Sequence, residues 1–268
     1  DMAVDEGCTH CIMEVSSQAM KMNRIYGEHY KVGVFTNIDY DHISPTEHAS
    51  MEDYLGCKVS FLKQCDNVVL YSDTRYFETI YNEVRDKHVV VYGSKESIEK
   101  LMSRDDDFFE KDTDFASIHN EDLTDHNSYF ELIYGGENRA YNTNLIGDYN
   151  VENIVAAIIS SLLIGIPNDQ IRSSIRDVYV PGRLQVYHWK DRTFMIDYAH
   201  NYISMYRLYE MVKKTMKPKS ITVVFGCGGE RYKKRREDMG RLAEQYADKV
   251  VLTMEDPGFE SCEEICKE

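Results

Sequence analysis

Apolar residues in this chain fall into short, nearly unbroken runs separated by segments with helical spacing. Residues 11–15, 32–37, 67–71 and 88–92 are such runs. Their lack of alternation predicts strands covered on both faces, as in a parallel sheet. Residues 103–144 are richer in Asp, Asn, Gly and Tyr and predict an irregular or antiparallel extension, with a strand at 130–134. The clearest helix is 150–164: Val151, Ile154, Val155, Ile158, Ile159, Leu162 and Leu163 share one face, Gly165 ends the pattern and Pro167 lies beyond it. A further helix is expected over 169–178.

Pro181-Gly182 then breaks the pattern. It divides the chain into expected domains 1–179 and 180–268. The alternation restarts with strands at 184–188, 193–197, 221–225 and 250–253 and helices over 203–216 and 235–246. The fold class is α/β: a mostly parallel central sheet, then the first part of a Rossmann-like, doubly wound unit.

Composition narrows the function. Hydrophobic residues make up 43% of the 268, enough for a core. A net charge of −15 disfavours nucleic acid and anionic membranes as partners. No run is long and apolar enough for a membrane span or signal peptide, so a cytoplasmic protein without membrane insertion is expected. The seven cysteines lack a framework spacing, which predicts reduced thiols. Cys8 and Cys11 form a C-x-x-C half-motif with no matching second half; buried structural cysteines are expected there.

Three groups then carry chemistry. Glu14 closes the first predicted strand and His42 follows the second, so both are expected where ligands of open α/β sheets bind. Lys58 falls inside an apolar helix stripe of Met51, Tyr54, Leu55, Phe61 and Leu62. A lysine there is either snorkelling or desolvated, and a desolvated amine is a free base that can take up CO₂ as a carbamate. Carboxylate, imidazole and carbamate oxygen together suit Mg²⁺ beside a nucleotide triphosphate. The phosphate-cradling G-x-x-x-x-G-K-[ST] loop is absent from these residues, so an ATP-using enzyme lacking its N-terminal part is expected. Asn150 and Asn153 flank a helix start, where they can read an adenine or cap the helix. Arg183 could reach a phosphate and Asp197 a ribose hydroxyl. Gly226-Cys227-Gly228-Gly229 has the look of a weak phosphate loop, or of a tight strand-to-helix turn.

Seven blocks in order resemble the Mur ligase family, most of all its MurE type. They are Glu14-Val15-Ser16-Ser17, Phe35-Thr36-Asn37-Ile38 with Asp41-His42, Met51-Glu52-Asp53-Tyr54 with Lys58, Gly147 to Asn153, Val180-Pro181-Gly182-Arg183, Asp197-Tyr198-Ala199-His200, and Phe225 to Arg231. The resemblance implies a monomeric, ATP-dependent amide-bond ligase of peptidoglycan synthesis. It would join a diamino acid to UDP-MurNAc-L-Ala-D-Glu through an acyl phosphate. It implies Glu14, His42 and carbamylated Lys58 around Mg²⁺, and Ser16, Ser17 and Arg24 toward the UDP-MurNAc substrate. Asn150, Asn153, Arg183 and Asp197 would surround ATP, and Arg231, Glu255, Asp256 and Gly258 would face the amino acid. Where the family carries Asp-Asn-Pro-Arg for diaminopimelate, this chain has Glu255-Asp256-Pro257-Gly258, which leaves L-lysine or another amine open. Asn201-Tyr202 stands where Thr-Pro is common. The rival readings are a folylpolyglutamate synthetase-like ligase and a non-catalytic paralogue that binds a nucleotide or partner.

Overall fold

Neighbouring residues of the central strands point into two different cores. Val68, Leu70, Val89 and Val91 face one; Val69, Val90 and Tyr92 face the other. That period of two, with both faces covered, explains the unbroken apolar runs. The computed structural model describes residues 5–44, 47–104, 107–230 and 232–268.

A short helix α1 (Ser17–Lys21) precedes a six-stranded sheet in the order β1 (Tyr30–Phe35), β2 (Cys65–Tyr71), β3 (His88–Ser94), β4 (Thr113–Leu123), β5 (Ser128–Tyr134) and β6 (Glu137–Thr143). The first four strands run parallel, and β5 and β6 add antiparallel pairs. The crossovers are α2 (Met51–Leu62), α3 (Phe77–Val84) and α4 (Lys95–Met102). All three pack on one face. The opposite face is covered by α5 (Asp148–Leu163) and α6 (Asn168–Arg176).

Beyond α6 lie the hairpin β7 (Gln185–Trp189) and β8 (Arg192–Ile196), then α7 (Tyr202–Met211), which runs into a π-helical turn, Val212–Met216. β9 (Thr222–Phe225), α8 (Lys234–Tyr246) and β10 (Lys249–Leu252) form one parallel crossover unit, and α9 (Cys262–Ile265) follows. Among the described residues β7 and β8 pair only with each other. They are not strands of the β9–β10 sheet, as a doubly wound unit would have them.

One predicted strand is absent. Among the described residues, 11–15 have no ladder partner, and β1 pairs only with β2. A strand without a neighbour leaves its backbone groups unpaired, so apolar content alone does not make one. Ile12 is fully exposed, and Cys8 and Cys11 are exposed rather than buried. Glu14 therefore sits on a loop, not at a strand end.

Candidate active site

Helix α2 begins at a capping serine, the Ser50 hydroxyl accepting from the Asp53 backbone N–H. It turns Met51, Tyr54, Val59 and Leu62 inward. Lys58 falls on this side, its amine 5.3 Å from the Tyr54 ring centre and 5.7 Å from that of Phe35. Among the described residues the amine has neither a hydrogen bond nor an ion pair. Burial holds it below the ordinary lysine range, and the Glu14 carboxylate partly opposes that shift.

His42 lies across the same tyrosine, 5.5 Å between ring centres. Its Nδ1 is 2.9 Å from Glu47 Oε1. An ionised carboxylate only accepts, so Nδ1 carries a hydrogen, and Nε2 lies 3.9 Å from Asp41 Oδ2. The backbone at His42 is left-handed, φ 58°. Its N–H donates to Asp41 Oδ1 at 2.9 Å, which holds that turn. Burial pushes the Asp41 carboxyl up, but Arg235 and the His42 backbone outweigh it and leave it below its ordinary range. The structure thus gathers Lys58 and His42 around Tyr54, with exposed Glu14 within electrostatic reach of Lys58.

The two serines diverge. Ser16 caps α1, accepting from the Ala19 backbone N–H at 3.1 Å. Ser17 is buried, and its hydroxyl meets Nε2 of fully buried His48 at 2.9 Å. His48 Nδ1 in turn faces Asp53 Oδ2 at 3.3 Å, and Lys21 pairs with the same oxygen at 2.7 Å. His48, Asp53 and Cys57 could in principle face one cation. The Lys21 ammonium already neutralises Asp53, so this is a hydrogen-bonded knot. Nothing in the spacing of the sequence marks His48. Arg24 is exposed just past α1.

The nucleotide candidates meet at the start of α5. Asn150 is buried and donates to the Ile146 carbonyl at 2.8 Å, while Asn153 is exposed one turn on. Asp197 accepts from the backbone N–H groups of Leu184, at 2.9 Å, and Ala199, at 2.8 Å. Arg183 stacks over Tyr198 at 4.4 Å. The Tyr149 hydroxyl is raised by burial and by Asp197 and Asp148, and is lowered by Arg207 and Arg183. These groups therefore share one neighbourhood.

The glycine loop has a packing role. A side chain at Gly226 would come within 2.5 Å of the Thr253 carbonyl oxygen, and one at Gly229 would overlap that of Pro257. The Gly229 N–H is already given to Asp256 O at 2.8 Å. The glycines let this loop lie against exposed Glu255, Asp256 and Gly258. Gly258 is left-handed, φ 57°, and a Cβ there would meet the Glu230 carboxylate at 2.5 Å. Arg231 lies outside the described residues.

Comparison with known proteins gives this geometry its context. Residues 1–161 match the Mur ligase middle domain, and residues 182–268 match the Mur ligase glutamate ligase domain. The chain belongs to the Mur ligase family. It is 35% identical over 280 residues to a UDP-N-acetylmuramyl-tripeptide synthetase of Limosilactobacillus reuteri, covering 100% of this chain and 53% of that relative. It is also 35% identical over 269 residues to the UDP-N-acetylmuramoyl-L-alanyl-D-glutamate--L-lysine ligase of Enterococcus faecalis, covering 99% and 51%. The chain thus spans about half the length of the curated relatives it matches. A solved UDP-N-acetylmuramoyl-L-alanyl-D-glutamate--2,6-diaminopimelate ligase superposes with TM-score 0.63 at 24% identity, over 97% of this Mur ligase chain and 51% of the other. MurF from Acinetobacter baumannii gives 0.64 at 19%, over 82% and 46%. These two likenesses show the shared α/β fold. No helix among the described residues is long and apolar enough to cross a membrane.

Proposed function

We propose that this Mur ligase chain supplies the ATP-binding and amino-acid-joining parts of a MurE-type ligase. The reaction would extend UDP-MurNAc-L-Ala-D-Glu by one diamino acid in the cytoplasm, where ATP is available. The observation that carries the reading is the Lys58 amine: desolvated, unpaired among the described residues, and set beside the His42 imidazole across Tyr54.

A neutral amine attacks CO₂, loses a proton and becomes a carbamate, so a buried cation turns into an anionic oxygen donor. The donor set fits a hard divalent ion: a Lys58 carbamate oxygen, the His42 Nε2 lone pair and the Glu14 carboxylate. Mg²⁺ held there would neutralise phosphate oxygens and favour phosphoryl transfer. Glu47 keeps the His42 ring oriented through Nδ1. Asn150, Asn153, Arg183 and Asp197 would bind the adenosine end of ATP.

In the reaction the substrate's terminal carboxylate takes the γ-phosphoryl group, giving an acyl phosphate and ADP. The incoming amine attacks the acyl carbon, and the tetrahedral species collapses to amide and phosphate. Positive groups around crowded oxyanions supply the stabilisation. Ser16 and Arg24 would contact the UDP-MurNAc substrate, and Glu255, Asp256 and Gly258 would face the amino acid, a role the family resemblance also gives Arg231. The deciding experiment incubates the full-length native protein with UDP-MurNAc-L-Ala-D-Glu, ATP, Mg²⁺ and either L-lysine or diaminopimelate. ADP and tripeptide should appear together; neither appearing with either amine would end the ligase reading.

A further inference from the structure

Two arginines of the 182–268 stretch each grip a carboxylate that neighbours a candidate ligand of the 1–161 stretch. Arg235 Nη2 donates to Asp41 Oδ1 at 2.5 Å, with both side chains nearly buried. The other Asp41 oxygen accepts from Asn201 Nδ2 at 3.4 Å. Oδ1 also accepts from the His42 backbone N–H at 2.9 Å. One carboxylate thus holds the strained turn of His42 and two C-terminal side chains. Asn201 also caps α7, its Oδ1 accepting from the Ser204 N–H.

The second grip is bidentate. Arg207 donates to both Glu152 oxygens, at 2.7 and 2.5 Å. Glu152 lies on α5 between Asn150 and Asn153, and Tyr71, at the end of β2, donates to it at 2.6 Å. The Arg207 guanidinium also lies 6.0 Å from the Tyr149 ring centre. Paired N–H···O bonds fix direction as well as distance, so this contact sets the orientation of α5 relative to α7.

We propose that Arg235 and Arg207 are positioning residues: Arg235, through Asp41, sets the His42 turn, and Arg207, through Glu152, sets the nucleotide-reading start of α5. This rests on the ligase reading above. Movement of the C-terminal stretch breaks both grips, so its docking and the assembly of the site are one event. The division of labour is specific. The Arg235 grip acts on the His42 end, where the phosphoryl group is transferred. The Arg207 grip acts on the adenosine end.

The test uses the full-length native protein and the variants Arg235→Ala, Arg235→Lys, Arg207→Ala and Arg207→Lys. Arg235→Ala should lower kcat about tenfold or more with the KM for ATP little changed. Arg207→Ala should raise the KM for ATP about fivefold or more with a smaller effect on kcat. Arg235→Lys should recover part of the loss, because one charged hydrogen bond can be remade. Arg207→Lys should recover little, because the bidentate geometry cannot. A fluorophore pair, one on α3 and one on α8, reads the separation of the two stretches without any turnover; it should lengthen in both alanine variants. Unchanged separation in both, or kcat and KM moving together in all four, would overturn the proposal. A wild-type protein that makes no ADP while the separation still lengthens in the variants would refute the ligase reading and leave the two grips standing.

Discussion

His48 Nε2 lies 2.9 Å from Ser17 Oγ in a site closed to solvent. This bond joins the loop carrying Glu14 and Ser16 to the segment that leads into the Lys58 helix. Ser17→Ala would leave a buried ring nitrogen without a partner. The expected cost is about 1–3 kcal/mol of unfolding free energy. Urea unfolding measures it, and a Ser17→Ala midpoint equal to wild type would show that the bond contributes nothing.

Asp53, bonded to Lys21, the Ala49 N–H and His48, has its carboxyl lowered to about 2. A carboxylate depressed on folding contributes stability that is complete above its unfolded range. That stability is lost as the pH falls through the folded value. The wild-type protein should therefore weaken between about pH 4 and pH 2. Asp53→Asn should show a flatter dependence there, measured as unfolding midpoint against pH. Parallel curves would rule this group out as a source of acid sensitivity.

Lys58 obeys the same linkage in a higher pH window. Its amine is depressed on folding, so between the folded value and the ordinary lysine range the unfolded chain binds the extra proton. Stability then rises as the pH climbs from the folded value toward the ordinary lysine range. Lys58→Met should lack that rise, measured as unfolding midpoint against pH up to the ordinary lysine range. It should also be inactive. Lys58→Ala should be inactive too, but partly restored by a small carboxylate in the buffer, which can occupy the oxygen-donor position. Full activity in either variant would remove the carbamate role.

The loop around Gly229 tolerates no Cβ. Gly229→Ala drives a methyl into the Pro257 carbonyl, so the two loops must part, at a cost of about 3 kcal/mol. Gly258→Arg should not convert the protein to diaminopimelate use. The left-handed backbone and the Glu230 carboxylate both oppose a side chain there. Ligation assays with both amines decide the second point, and a clean switch in preference would mean that this loop rearranges freely.

The central strands β1, β2 and β3 were legible as unbroken apolar runs and α5 as a period-3.6 stripe, because both patterns report burial. Strand β4, which pairs parallel with β3, was read only as part of an irregular or antiparallel extension, since its residues mix polar with apolar. Residues 11–15 misled because apolar content cannot show whether a neighbouring strand exists. Lys58 stood out because a cation on an apolar stripe violates the pattern. The partnership of Ser17 with His48 and Asp53 could not be seen, since it joins residues 31 positions apart through a turn rather than a repeat. Asn201, unexplained in one dimension, acquires a reason once Asp41 is beside it. The glycines at 226–229 left a weak phosphate loop and a tight turn both open, and only the opposing Thr253–Gly258 segment reveals that Gly226 and Gly229 make room for backbone.

The strictly sequential order of the sheet, β1 to β6, bears on how the molecule forms. Every strand docks on the one made just before it, so the sheet can grow at a single moving edge as the chain emerges. Among the described strands none waits for a distant mate, which keeps these loop closures short. The face under α2, α3 and α4 is sealed as it is made. The other face, with Val69, Val90 and Tyr92, stays open until α5 arrives. For that interval the nascent sheet exposes a sticky surface, which makes it the stage most dependent on chaperone shelter.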